Sequence, residues 1–209
     1  MESKNYKIKK NFITDQEVNL IIEWLDTLNH TGDDSNHHLT ELGKSLNGKS
    51  YIFDISKTEI TKVITKIQSI SDVSNDILPD FIHDIFDRIS IEFNLPKNNI
   101  YLQGVDMNKG GKINAHYDAA IDGYINFKCN ISVKSEPYKF YLDKEILDIE
   151  EKDIYCFEAS LYKHWTDEFN SKRIFLSFGI VIPYETLNRD QNDPRVRLSR
   201  RVTKYFLNR

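Results

Sequence analysis

Cysteine is scarce in this chain. Two residues, Cys129 and Cys156, occur among 209. That excludes a disulfide scaffold and a cysteine-built zinc site, and it points to a reducing, cytoplasmic setting in which both thiols serve as small buried hydrophobes. Glycine and proline are also few, at 8 and 5, which excludes a collagen-like or low-complexity chain. No apolar run approaches the roughly 20 residues that span a bilayer. The polar start from Met1 to Lys10 has no apolar signal segment behind it, so no membrane partner is expected. Neither sign of charge dominates: 28 Lys and Arg against 32 Asp and Glu leave a net charge of −4, without a global basic field for nucleic acid. What is present is 40% apolar and 12% aromatic residues, enough to build the core of one ordinary domain.

The hydrophobic period changes near residue 98. Before it, apolar residues recur at helical spacing. Thr14-Asp15-Gln16-Glu17 is a capping-box pattern, and with Val18, Ile21, Ile22 and Leu25 it predicts a helix over Asp15–Leu28, preceded by a short strand at Tyr6–Ile8. Further helices are expected over Lys57–Ile70 and over Ile77–Phe93, the latter stopped by Leu95-Pro96. The polar stretch 29–50 reads as a long loop, and His30, His37 and His38 within it suit a solvated loop or a lid better than a second metal cluster. His83 falls on the third helix in a structural or solvent-facing role.

After residue 98, short apolar runs alternate with turns: Ile100–Met107, Lys112–His116, Tyr124–Val133, Lys139–Leu142, Ile146–Ile149, Ile154–Phe157 and Arg173–Ile182. Evenly spaced short strands predict a sandwich or jelly roll. Tyr124, Asn126 and Lys128 alternate with Ile125, Phe127 and Cys129; one of these two faces lines the interior, and the pattern leaves open which.

His116-Tyr117-Asp118 is the sharpest local feature. Residues i and i+2 of a strand share a face, so this imidazole and carboxylate can meet one cation, or simply bond each other at a strand end. His164 adds a second imidazole among the late strands. Two histidines and one carboxylate on one face form the facial triad of non-haem Fe(II) sites, with coordination positions left open. Arg173 opens the apolar run Ile174-Phe175-Leu176-Ser177-Phe178. An arginine entering an apolar interior needs an anion, and a dicarboxylate cosubstrate supplies one. Trp165 beside His164 has two readings, a wall of the site or outer-layer packing, the second following from the opposite facing of adjacent strand residues.

On these residues the chain resembles a known family. The segment from Met107 to Asp118 looks like the first metal-binding strand of Fe(II)/2-oxoglutarate-dependent oxygenases. His164-Trp165 with Arg173 and Leu176-Ser177-Phe178 is similar to their distal histidine and 2-oxoglutarate-binding strand. The opening from Lys10 to Glu17 resembles the entry of the prolyl-hydroxylase-like branch. The resemblance implies an α+β fold, a double-stranded β-helix (jelly roll) with N-terminal helices packed on one sheet. A single oxygenase domain would span 1–188, helical over 1–98 and jelly roll over 99–188, followed by a basic segment at 189–209.

It also implies His116, Asp118 and His164 as catalytic iron ligands, with Arg173, Ser177 and Tyr101 holding 2-oxoglutarate. Fe(II), 2-oxoglutarate and O2 are the implied cofactors and cosubstrates, with ascorbate as an optional reductant. The family's tyrosine nine residues before the first histidine is Met107 here, and Tyr101, Gln103 or Asn130 is left to replace it. The second arginine of the DNA-repair branch is Gly179 here, which argues against alkylation repair, and the presence of Asp118 argues against halogenation.

The expected activity is hydroxylation of a protein side chain, such as prolyl, or of a small amino-acid-like molecule, with release of succinate and CO2. Nucleic acid is a less favoured partner, supported by Arg195, Arg197, Arg200, Arg201, Lys204 and Arg209 in the stretch Pro194–Arg209, which has no acidic residue. The alternatives are a non-catalytic jelly-roll binding module and a hydrolytic zinc site, in which Arg173 would have no clear task.

Overall fold

The computed structural model describes residues 6–28, 44–45, 48–68 and 77–187, with backbone alone at 44–45 and 66–68. His30, His37, His38, most of the 29–50 loop and the 189–209 segment lie outside the described residues.

The order of elements is β1 (Tyr6–Lys9), α1 (Asp15–Thr27), β2 (Lys44–Ser45), β3 (Gly48–Asp54), α2 (Glu59–Gln68), α3 (Asp80–Phe93), β4 (Ile100–Met107), β5 (Lys112–Ile113), β6 (Tyr124–Lys134), β7 (Tyr138–Leu142), β8 (Glu145–Ile149), β9 (Ile154–Glu158), β10 (His164–Thr166) and β11 (Arg173–Pro183), closed by a 3-10 turn at Tyr184–Leu187. The capping box forms as its sequence predicts: Thr14 Oγ1 accepts from Glu17 N at 3.2 Å, and Glu17 returns an oxygen to Thr14 N at 2.8 Å.

Three expectations shift. The loop foreseen through residue 50 gives way at Gly48 to β3, a strand that pairs with β4 along its whole length. The third helix starts at Asp80 rather than Ile77, because Pro79 stands at its N-cap and a proline holds the residue before it extended. The same helix ends on Asn94 in the left-handed conformation (φ 53°), before Leu95-Pro96 comes into play.

Six antiparallel strands form the larger sheet in the order β1-β9-β6-β11-β4-β3. A smaller sheet runs β10-β7-β8, and β2 pairs with β5. One face of the larger sheet carries Cys129, Ile131, Cys156, Leu102, Ile174, Leu176, Phe178 and Ile180, packed under Ile21, Trp24, Leu25, Ile82, Ile85, Phe86 and Ile89 from α1 and α3. The side chains of α1 and α3 thus supply more than a third of the buried residues of the main core. Cys129 and Cys156 sit opposite each other across β6 and β9, both buried in it. Burial and the neighbouring sulfur push the Cys156 thiol well above its ordinary range, in keeping with an inert packing role.

Strand alternation turns the intervening residues to the other face. In β11 these are Arg173, Phe175, Ser177, Gly179 and Val181; in β6 they are Asn126, Lys128, Asn130 and Ser132. The alternation that the sequence left open is therefore settled: the polar set of β6 faces inward, toward the smaller sheet. There Phe140 of β7 meets Tyr155 and Phe157 of β9 with ring centroids 4.6 and 5.0 Å apart. At one end of this interior Ile64 of α2 packs with Tyr101 and Val181.

Gly179 is required there by close approach. A Cβ at this position would overlap the ring of Tyr101, its register partner on β4. Gly179→Ala is expected to destabilise the protein by about 1–3 kcal/mol through overpacking, read as a lowered midpoint in urea unfolding.

Candidate metal centre and anion pocket

His116 and His164 are brought together by the backbone. His116 N donates to His164 O at 3.1 Å, and His164 N donates to His116 O at 2.9 Å. This single antiparallel bridge attaches the end of the β5 segment to β10. Asp118 follows two residues later, its N–H bonded to Ala159 O at 3.0 Å. All three side chains are buried. His116 Nε2 lies 3.1 Å and His164 Nε2 3.7 Å from Asp118 Oδ1. One ligand atom from each of the three residues falls within a 4.8 Å cluster.

The outward nitrogens decide what the inner ones offer. His116 Nδ1 faces Asn114 O at 2.7 Å, and His164 Nδ1 faces Tyr162 O at 3.0 Å. A carbonyl only accepts, so each Nδ1 carries the proton and, in the neutral ring, each Nε2 presents a lone pair. Two lone pairs and a carboxylate oxygen then converge on one point. That arrangement suits a bound divalent cation, and the orienting carbonyls are the usual support of metal-ligating imidazoles. Phe157 and Phe140 wall His164 with centroids at 4.8 and 5.9 Å, and Lys128 Nζ lies 3.3 Å from Asp118 Oδ2.

Arg173, at the start of β11, is fully buried. Its guanidinium is enclosed by the rings of Phe175, Tyr138 and Phe169 at 4.3, 4.4 and 4.7 Å. Nη2 donates to Tyr138 Oη at 2.7 Å and Tyr155 Oη at 3.3 Å. Nε and Nη1 have no hydrogen-bond partner, and no carboxylate among the described residues pairs with this cation. A buried arginine in that state is costly unless an anion joins it. Two rows along the same face, Ser177 stands across from Asn130; Ser177 Oγ and Asn130 Oδ1 are also buried without a partner. One row further, Gly179 stands across from Lys128, which touches Asp118. The interior thus runs from a cationic pole at Arg173, past unpaired polar atoms, to the His–Asp–His cluster. The chemistry of that run suits a dicarboxylate, with the guanidinium as partner for one carboxylate and the His–Asp–His cluster as the place for a cation.

No family model matches the sequence, and no match is found among curated proteins. Solved structures do match by shape. A viral collagen prolyl hydroxylase from Paramecium bursaria Chlorella virus-1, in its 2-oxoglutarate complex, is 14% identical, with a TM-score of 0.55 over 87% of this chain and 98% of its own. A prolyl hydroxylase from Trichoplax adhaerens, in complex with a peptide fragment of the hypoxia-inducible factor oxygen degradation domain, is 10% identical, with a TM-score of 0.58 over 90% and 89%. A 2OG-Fe(II) oxygenase family protein from Burkholderia pseudomallei is 12% identical, with a TM-score of 0.55 over 84% of each chain. The chain has the fold of the prolyl-hydroxylase-type oxygenases.

On this oxygenase fold, the structure brings His116, Asp118 and His164 together and sets Arg173 and Ser177 on one inner face. Tyr101 pairs with Gly179, six positions along β11 from Arg173. Its hydroxyl donates to Asn126 Oδ1 at 3.0 Å, and its ring underlies Lys128 Nζ at 5.3 Å. The hydroxyls that do reach Arg173 belong to Tyr138 and Tyr155, which the sequence reading missed. Of the two readings of Trp165 the structure favours outer packing, its ring stacked on Tyr141 at 5.0 Å, and His83 is exposed on α3.

Burial pushes the Tyr138 phenol well above its ordinary value, the Arg173 charge opposing in part. A phenol whose folded-state pKa is raised contributes stability that is intact below the unfolded value of about 10 and is lost as pH rises from there. Tyr138→Phe is therefore expected to show a shallower loss of stability above about pH 10, measured by urea unfolding across the alkaline range.

Proposed function

We propose that this protein is an Fe(II)- and 2-oxoglutarate-dependent dioxygenase on a double-stranded β-helix, hydroxylating a protein side chain such as prolyl or a small amino-acid-like substrate. One observation carries the reading. Three buried acceptors, His116 Nε2, His164 Nε2 and Asp118 Oδ1, converge at one end of an interior whose other end is a buried arginine without a carboxylate. The likeness in fold to oxygenases, one of them solved with 2-oxoglutarate, supports it.

In this reading His116, Asp118 and His164 hold the iron. Arg173 receives the distal carboxylate of 2-oxoglutarate through its unpaired Nε and Nη1, and Tyr138 and Tyr155 lock the guanidinium in place. Ser177 and Asn130 offer hydrogen bonds to the middle of the cosubstrate. Phe140, Phe157 and Phe175 keep water from the bound acid, which strengthens each of these polar contacts. When bound, Fe(II) and 2-oxoglutarate supply the oxidising power from O2, with succinate and CO2 as by-products and ascorbate as an optional reductant.

A polypeptide substrate is favoured because a chain of this fold is solved with a peptide bound; a small amino-acid-like molecule is the second choice and nucleic acid the third. The domain is read as one unit over 1–188, working in the cytoplasm. Among the described residues no helix is long and apolar enough to cross a membrane.

The deciding assay is succinate release from 2-oxoglutarate by protein supplied with Fe(II), O2 and ascorbate, with a peptide panel. His164→Ala is expected to lower it by more than about 100-fold; equal turnover in that variant would refute the assignment. Arg173→Ala should retain iron but bind 2-oxoglutarate about 10- to 100-fold more weakly, read by calorimetry under anaerobic conditions. Normal cosubstrate binding in that variant would remove Arg173 from the pocket.

A further inference from the structure

Lys128 has no task in the reading above, yet it is built into the site. Its side chain is 6% exposed, and Nζ lies 3.3 Å from Asp118 Oδ2. The other oxygen of that carboxylate, Oδ1, is the one facing both histidines. Three strands hold the ammonium in place. Lys128 comes from β6, the ring of Tyr101 from β4 lies beneath Nζ at 5.3 Å, and β11 contributes Gly179, whose missing Cβ admits that ring. Tyr101 is itself fixed through its hydroxyl to Asn126 Oδ1 at 3.0 Å. A flexible, strongly hydrated side chain is buried and ordered here to meet one carboxylate oxygen.

We propose that Lys128 is a positioning residue of the metal centre: by occupying Oδ2 it makes Asp118 a one-oxygen ligand. The proposal rests on the reading of His116, Asp118 and His164 as a metal site. A carboxylate binds a cation through one oxygen or two. The second mode would take a coordination position that a facial triad keeps open for substrates. The ammonium blocks that mode, and its like charge also holds the affinity for the cation below what three ligands alone would give.

Co(II) tests this directly, because its visible spectrum reports coordination number. The wild-type protein, Lys128→Met and Lys128→Arg are titrated with Co(II), with circular dichroism as the check on folding. Lys128→Met is expected to give a changed spectrum, Co(II) affinity raised several-fold, and weaker 2-oxoglutarate binding by the Co(II)-loaded protein. Lys128→Arg keeps a cation beside Oδ2 and should keep the wild-type spectrum. A wild-type spectrum and affinity in Lys128→Met overturn the proposal, as does a folded Lys128→Met that binds no Co(II). A wild-type protein that binds no Co(II) overturns the metal-site reading itself. If Lys128→Met does not fold, a crystal structure of the Co(II)-loaded wild type decides: Oδ2 bonded to Nζ supports the proposal, and Oδ2 bonded to the metal overturns it.

Discussion

Two backbone hydrogen bonds between His116 and His164 organise the rest of the site. They join a segment that follows a glycine turn to β10, a three-residue strand that is itself paired with β7 along its whole length. Once they are joined, the two imidazoles lie with centroids 4.3 Å apart, and the i+2 geometry of an extended chain brings Asp118 to the same point. The carbonyls of Asn114 and Tyr162 then orient each ring. Ligand geometry here follows from peptide groups that no side-chain substitution removes.

The larger sheet does the complementary work. β11 lies between β6 and β4 at its centre. Its outer face is wholly apolar under α1 and α3, which anchors the strand by hydrophobic burial. Its inner face is thereby free to carry groups that cost stability. A buried arginine lacking a carboxylate partner, the unpartnered side-chain oxygens of a serine and an asparagine, and a buried lysine all lie along it or on β6 beside it. Unsatisfied polar groups of this kind are rare in a folded interior, and their concentration on one face is what the proposed cosubstrate would satisfy.

Much of this was legible in the chain itself. The capping box at Thr14 gave the first helix because the signal is local: four residues satisfy each other's backbone groups. The strands from Ile100 onward were visible because burial on one face imposes a period of two. His116, Asp118, His164 and Arg173 stood out because charged or ligating residues are exceptional in apolar runs. Less was legible where the partner is remote. The first three residues of β3 were read as loop and the rest was given no element, because a lone strand beside a polar stretch has no mark of its own until β4 pairs with it. Tyr138 and Tyr155 carry no local mark, since their meeting with Arg173 depends on two sheets facing each other. Tyr101 was assigned to the cosubstrate by type and rough position, while the register of β4 against β11 carries it to Lys128.

The division follows the range of the forces. Helix starts, strand periods and the metal-ligating residue types are properties of short segments, so the sequence determined them by itself. Tertiary structure decided which face of β6 points inward, which hydroxyls brace the guanidinium, and which cation meets the second oxygen of Asp118. Each of those depends on strand register, and a slip of one residue would reverse every side chain on the strand. Register is set by the packing of the whole sheet against its helices, which no short stretch of the chain contains.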